Sequence, residues 1–349
     1  MATMSDPERP DSSHRATMKQ VATLAGVGLK TVSRVINDEP YVSQEIIGRV
    51  RAAAEQLDYL PNPHAGVLRS KAKRHLTIGL LVGSVDNPFV GALHRVIEEA
   101  AHEHDAAVFA SSLDDDPHRE RGIVQAFLRR RLDGLILTTV TPNQSYLVPE
   151  QRHGTQFVFV DRPPTGVEAD AIISDNAEGA AAAARHLIAH GHRRLAYLGD
   201  RHEIKTAALR REGFLGEVSR EGILAADTPV VEGLHDEESS YRAVLEIMRR
   251  PEPPTALFTA QNLVTIGAIR ALRDLGVQRS TALVSFDDIP LSGLLDPAIT
   301  VIAQHPDRIG ALAAKRMFDR IAGDDSPARE FVVPTTLIVR GSGEIPPHD

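Results

Sequence analysis

The chain predicts an α/β fold of doubly wound parallel sheet preceded by a small all-α unit, and three observations lead there. From Leu76 onward short apolar runs alternate with helix-length segments. Near the N-terminus, two short amphipathic stretches flank the break Ala25-Gly26-Val27-Gly28. Lys/Arg and Asp/Glu are unequally shared between these two regions. At 349 residues the chain is too long for one ordinary core and suggests about two or three domains.

The N-terminal unit is built from short helices. Apolar Met18, Val21, Ala22 and Leu24 recur at helical spacing, and the glycines of the break supply the positive φ that a sharp corner needs. A second helix over 29–36 turns Val32, Val35 and Ile36 inward and leaves Leu29, Lys30, Ser33 and Arg34 outward. This is the layout of a helix-turn-helix whose second helix reads the major groove, although the spacing alone equally fits a plain amphipathic hairpin. Ser43 should cap a third helix over 44–57, which Pro61 and Pro63 end. The net charge of −8 would oppose nucleic-acid binding if it were evenly spread. Between Arg15 and His75, however, ten Lys/Arg face five Asp/Glu, whereas from Leu76 onward 28 face 39. A local basic surface is what phosphate contact and counterion release require.

Beyond Leu76 the apolar runs LTIGLLVG (from Leu76), AAVFASS (Ala106), LDGLILTTV (Leu132), QFVFVDR (Gln156), RLAYLGD (Arg194), ALFTAQ (Ala256) and TALVSFDD (Thr281) read as strands buried on both faces. Segments 92–104, 120–130, 177–190 and 264–275 read as intervening helices, and Asp116-Pro117 suits an N-cap followed by Pro at the first helical position. Open α/β sheets bind ligands beyond the carboxyl ends of their strands. Asn87 with Phe89, Asp161-Arg162, Gln261-Asn262 and Asp287-Asp288 stand at such ends. Acids and amides there also serve simply as loop or helix caps.

The motif AGVxxxTVSRVIN followed by YLPNPHAGVLRS closely resembles the headpiece of the lactose-repressor/galactose-repressor family of bacterial transcription regulators, and the likeness runs from about Thr17 to Ser342. The resemblance implies a headpiece over 17–61 after a polar tail over 1–16, and a hinge and linker over 62–75. It also implies a core over 76–342 made of two doubly wound subdomains of the periplasmic-binding-protein type. The first would hold 76–174 and 305–333, the second 175–304 and 334–342, with crossovers near Ser174, Gln304 and Pro334. By the same resemblance, operator DNA is contacted by Thr17, Leu29, Lys30, Thr31, Ser33, Arg34, Asn37, Tyr59, Asn62, Ala65 and Leu68. Leu68 would act as a minor-groove wedge in a hinge over 62–69. Arg210, ahead of Gly213-Phe214, is expected to join Asn87, Phe89, Asp161, His235, Gln261 and Asp287 around a small effector, most simply a sugar. The expected assembly is a homodimer on a near-palindromic operator. Four departures stand out. Gly28 replaces a capping Ser, Gln261-Asn262 replaces Asn-Asp, Ser285 replaces a glycine, and His235 stands where an aromatic is common.

Other chemistries find little support. His186 and His190, four apart with His192 nearby, could grip a metal, but no third acidic or Cys ligand has the usual spacing, so no metal site is expected. The Asp114–Asp116 run is expected to be a surface loop, and 129–131 a solvated helix end. No GxGxxG follows the first strand and no GxxxxGK[ST] or GxSxG occurs, so neither enzyme activity nor a cofactor is expected. Zero cysteines exclude disulfides, thiol catalysis and cysteine-held metal. With no run of about eighteen apolar residues and no secretory h-region, the chain is expected to have no membrane partner and to work in the cytoplasm. The reading is a ligand-controlled DNA-binding repressor. The alternatives are a sugar-binding receptor without DNA function and a purine-responsive, corepressed regulator.

Overall fold

The computed structural model describes residues 16–36, 39–57, 59, 76–224 and 228–348. The chain divides into two units at Leu76. Asn37 and the hinge residues Asn62, Ala65 and Leu68 lie outside the described residues.

The first unit holds helices α1 (Met18–Ala25), α2 (Leu29–Ile36) and α3 (Gln44–Gln56). Thr17 starts α1 through a capping box: its backbone N–H donates to Gln20 Oε1 at 2.7 Å, while its Oγ1 accepts from Gln20 N at 3.3 Å. Ser43 caps α3 by accepting from Ile46 N. Gly26 closes α1 at φ +64°, and a Cβ there would stand 2.7 Å from Arg49 Nη2. That guanidinium reaches back from α3 to donate to Ala25 O at 2.5 Å, satisfying a carbonyl that the helix end leaves open. The small core is Val21, Ala22, Ala25, Val32, Val35, Val50 and Ala53. Leu24 is instead 46% exposed, because the inward face of α1 runs through positions 21, 22 and 25. Ile36, expected inward, is only half-buried.

The second unit contains two six-stranded sheets of the same topology. Its strands are β1 (Leu76–Val82), β2 (Ala106–Ser112), β3 (Gly134–Leu137), β4 (Gln156–Val160), β5 (Asp170–Ser174), β6 (Leu195–Leu198), β7 (Val230–Val231), β8 (Ala256–Thr259), β9 (Ala282–Phe286), β10 (Thr300–Ala303), β11 (Glu330–Val333) and β12 (Thr336–Ile338). The first sheet has the order β11-β5-β4-β3-β1-β2 and the second β12-β10-β9-β8-β6-β7. Every pairing is parallel except that of β12 with β10. Strands β5, β7, β10, β11 and β12 went unread in the sequence. They are two to five residues long, and β5 opens on Asp170 with only three apolar residues after it.

The helices of this unit are α4 (Pro88–Glu103), α5 (Pro117–Arg129), α6 (Val148–Arg152), α7 (Asn176–Ala189), α8 (Lys205–Arg220), α9 (Glu237–Ile247), α10 (Asn262–Asp274) and α11 (Pro306–Ile321). Asn87 and Asp116 cap α4 and α5 by accepting from Phe89 N and His118 N, with Pro at the first helical position in both. These caps start both helices earlier than their apolar periodicity suggested. The chain passes between sheets three times: from β5 into α7, from β10 into α11, and from β11 into β12. Helix α11 therefore buries Ile309, Ala313, Met317 and Phe318 in the core of the first sheet, although it follows a strand of the second.

Helices α7 and α8 approach closely where Gly213 faces α7, because a Cβ there would stand 1.9 Å from the Ala177 carbonyl. Next to it Phe214 is fully buried and stacked on Phe258 at 4.9 Å. We expect Gly213→Ala to destabilise the second unit by about 1–3 kcal/mol, since backbone must move. Gly216→Ala, on the same helix with open space at its Cβ, should be neutral or stabilising by up to ~1 kcal/mol. Urea denaturation of the two variants side by side checks the contrast, and equal stabilities would contradict it.

Candidate functional site

The equivalent topology of the two sheets sets two aspartates at matching places. Asp161 follows β4 and Asp287 follows β9, each in the left-handed region at φ +67° and +74°. Each donates its backbone N–H across to the neighbouring strand, to Ile172 O and Ile302 O, at 2.9 Å. Non-glycine residues adopt this conformation at a cost, and functional sites are where such strain collects.

Asp287 is 5% exposed and Arg210 of α8 equally so. The Arg210 guanidinium lies 3.8 Å over the Phe286 ring and donates to Asn176 Oδ1 at 2.7 Å and to Ala260 O at 2.8 Å. Its Nη1 is 3.9 Å from Asp287 Oδ2. Gln304 donates to Asp287 Oδ1 at 2.6 Å, and Ser174 donates to Gln304 Oε1 at 2.6 Å. Burial pushes the Asp287 carboxyl up, against the pull of Arg210 and of the Gln304 hydrogen bond. Beneath it the hydroxyls of Thr259, Thr265 and Ser285 form a buried chain at 2.8 and 2.6 Å. Ser285 thus fits a place where a glycine was the familiar residue.

Asp161 is likewise pushed up by burial, opposed first by Arg162. Arg162 pairs with Asp115 at 2.7 Å. This corrects the reading of Asp114–Asp116 as a plain surface loop: Asp114 is exposed and paired with Arg119, and Asp116 caps α5, but the Asp115 side chain is only 11% exposed. Distance in sequence concealed its partner.

Gln261 caps α10 by accepting from Leu263 N at 2.6 Å, and its amide donates to Asp200 Oδ2 at 3.3 Å. His235 Nδ1 lies 3.1 Å from the same carboxylate oxygen. Asp200 was not picked out, although it ends the run RLAYLGD as the other candidates end theirs. Phe89 is half-buried against the core of the first sheet. Asn87, besides capping α4, accepts from Asn262 Nδ2 at 2.6 Å.

That last bond crosses between the subdomains. Arg201 Nη2 likewise donates to Asp115 O at 3.0 Å, and Lys205 Nζ to Pro163 O and Thr165 Oγ1 at 2.8 and 2.7 Å. The cavity lined by Thr139, Arg162 and Lys205 is about 20 Å³, room for one water. A groove of about 370 Å³ bordered by Ile269, Leu294 and Pro297 lies away from these strand ends and holds none of the charged residues just described. The cleft is closed, and a solute reaching Asp287 must part these bridges.

On the headpiece, Leu29 is 53% exposed and Lys30 is exposed, while Thr31 and Ser33 are half-buried. Arg34 is exposed and lies 3.8 Å from Glu39. Tyr59 is half-buried against the headpiece core, with its backbone N–H donating to Ala54 O at 2.8 Å. Thr17 is committed to its cap. Among the described residues of the core unit no helix is long and apolar enough to cross a membrane, and the same is true of the headpiece.

The hydrogen bond to Asp200 raises the His235 imidazole above its usual value, with burial opposing. For Asp200, burial acts upward, but the bonds from His235, Arg201 N and Gln261 and the charge of His235 together outweigh it, and the carboxyl is lowered. The charged His235–Asp200 pair therefore stabilises fully below the unfolded histidine value of about 6.5 and is lost as pH rises through the raised folded value. At the acid end it is lost as pH falls through the depressed Asp200 value. NMR titration of the His235 ring should show a midpoint above that of an exposed histidine, falling in Asp200→Asn. An unmoved midpoint would rule out the pairing.

Comparison with known proteins places the chain. Residues 17–62 match the model of bacterial regulatory proteins of the lacI family, and 184–343 match a periplasmic binding protein-like domain. The chain is 31% identical over 330 residues to the ribose operon repressor of Escherichia coli (strain K12), covering 94% of this chain and 99% of that one. It is 32% identical over 335 residues to the HTH-type transcriptional regulator GalR of the same strain, covering 95% and 96%. Among solved structures, the lac repressor dimer bound to operator and the anti-inducer ONPF superposes with a TM-score of 0.81 at 26% identity, over 95% of this chain and 99% of that one. With a helix-turn-helix ahead of two like-wound subdomains closed on Arg210 and Asp287, this chain belongs to the lacI family of bacterial regulatory proteins.

Proposed function

We propose that this chain is a homodimeric repressor that binds operator DNA in the cytoplasm and is induced by a sugar held in the cleft. Its family is one of transcriptional regulators rather than enzymes. The observation that carries the effector assignment is the gathering at strand ends of Arg210 with Asp287, Asp200 with Gln261 and His235, and Asp161 with Arg162. Paired carboxylates and a guanidinium grip vicinal hydroxyls through charge-assisted bonds, which a polyhydroxylated solute can satisfy as the internal bridges part. His235, paired through its Nδ1 edge with Asp200, stands where an aromatic is common, which favours a sugar over a purine. A relative named as a ribose operon repressor supports the same class. On the headpiece, Leu29 and Lys30 read bases, Arg34 joins them, and Leu68 wedges the minor groove. A ligand that favours one degree of closure shifts operator affinity by its differential affinity for the two states.

Two measurements test this. Fluorescence anisotropy against operator variants should show Lys30→Ala losing roughly 1–3 kcal/mol of discrimination at one base position. An unchanged preference at every position removes Lys30 from base reading. In a thermal-shift screen of sugars, sugar phosphates and nucleobases, Asp287→Asn should weaken the hit by about 10–100-fold, and the hit should lower operator affinity of the unaltered protein. A nucleobase hit, or one indifferent to Asp287, would displace the sugar reading.

A further inference from the structure

The C-terminal end of α7 carries two histidines one helical turn apart, His186 and His190, on a common face. Their rings lie 4.5 Å apart. Sequence spacing offered them no third ligand. The fold supplies one in Glu344, more than 150 positions further on, brought to the helix end by the segment that follows β12. One ring nitrogen of each histidine and a Glu344 oxygen lie within 4.8 Å of one another. We propose that His186, His190 and Glu344 form a binding site for a divalent transition metal of the zinc class, which fastens the C-terminal segment to α7.

Three features of the surroundings suit a metal better than a chance ion pair. First, His190 Nδ1 is 2.8 Å from the His186 carbonyl, so it carries the proton and donates, leaving Nε2 with a free lone pair. A hydrogen bond of this kind, from the ring nitrogen that does not meet the metal, fixes the tautomer of metal-bound histidines. Second, the Glu344 carboxylate is oriented before any metal arrives: Gly341 N donates to Oε2, and Thr300 Oγ1 sits 3.1–3.2 Å from both oxygens. Third, the residue beside Glu344 is Gly343, where a Cβ would crowd His186 Nε2 at 2.9 Å. The approach to that nitrogen is open only because no side chain stands there.

His186 Nε2 is 2.5 Å from Glu344 Oε1. A proton shared between these atoms occupies the place a metal would take. Inserting Zn²⁺ with bonds near 2.0–2.1 Å requires the two atoms to part to roughly 3.3 Å in tetrahedral geometry. A change in the Glu344 side-chain torsions, with its backbone in place, supplies a shift of that size. His190 is half-buried, with part of its ring open to solvent, so the fourth position can be taken by water. Two imidazoles and one carboxylate select zinc and its neighbours over Mg²⁺ or Ca²⁺, which prefer all-oxygen shells. His192 does not take part, being buried between Thr255 Oγ1 and Ile345 O at 2.8 Å each. The site is at the end of α7 opposite Asn176, about 20 Å from the effector network at 1.5 Å per residue, so it is independent of the proposed sugar.

The experiment uses the full chain, stripped with a chelator and dialysed. Zn²⁺ is titrated against a competing chromophoric chelator, and Co²⁺ in parallel for its visible absorption. One equivalent per chain should bind, with a rise in Tm that Mg²⁺ does not produce. His190→Ala, at a half-buried position, and Glu344→Gln, which keeps the shape of the side chain and an acceptor for Gly341 N, should each bind at least ~10-fold more weakly and lose the four-coordinate cobalt spectrum. His153→Ala, an exposed histidine elsewhere, should bind as the unaltered protein does. Failure of the unaltered chain to take up one equivalent at tens of micromolar metal would overturn the proposal. Equal affinity in His190→Ala would reduce the cluster to a His186–Glu344 ion pair.

Discussion

Asp287 is the residue on which the ligand-binding unit turns. A carboxylate buried to this depth costs several kcal/mol unless its oxygens are paired, and here the partners come from distant parts of the chain. Arg210 arrives on α8, and Gln304 follows β10 at the crossover into α11. Gln304 is in turn held by Ser174, the last residue before the first crossover. Asn176, just past that crossover, accepts from Arg210. Asp175 between them accepts from Thr335 N at the third crossover. The demand for pairing one buried charge thus ties the first two connections between the subdomains together, and Asp175, beside Ser174, holds the third.

That arrangement gives the cleft a physical means of responding. Opening it exposes Asp287 and Asp161, both pushed up by burial, and breaks the bridges at Asn87–Asn262, Asp115–Arg201 and Thr165–Lys205. A polyhydroxylated ligand that replaces those bonds compensates the opening, and one that does not is rejected, because unpaired buried polar groups are costly. The Ser174–Gln304–Asp287 chain links this carboxylate to the first two crossovers.

The headpiece follows a different economy. Its core is seven small or β-branched residues, and its stability leans on caps: Thr17 with Gln20 at the start of α1, Ser43 on α3, and Arg49 reaching back to the end of α1. The Arg49 bond is long-range and holds the turn between α1 and α2, which sets how the Leu29–Arg34 face is presented. Basic charge gathers in this part of the chain, while the ligand-binding unit is acidic. A phosphate backbone attracts the first and repels the second.

Local features were legible in the sequence because their causes are local. Caps at Asn87, Asp116 and Ser43, the glycine corner at Gly26, the buried runs of β1, β4, β8 and β9, and acids or amides at strand ends follow from neighbours within a few residues. Family likeness added Arg210 and His235, which no spacing rule would single out. What tertiary structure alone decided were the pairings over long separations: Asp115 with Arg162, Asp200 with His235 and Gln261, Gln304 with Ser174, and Glu344 with His186. Strands as short as β7 and β12 carry too few residues to announce a period and exist because a neighbouring edge receives them. A linear pattern records what each residue prefers. Which charge meets which is set by the winding of two sheets that bring their strand ends face to face.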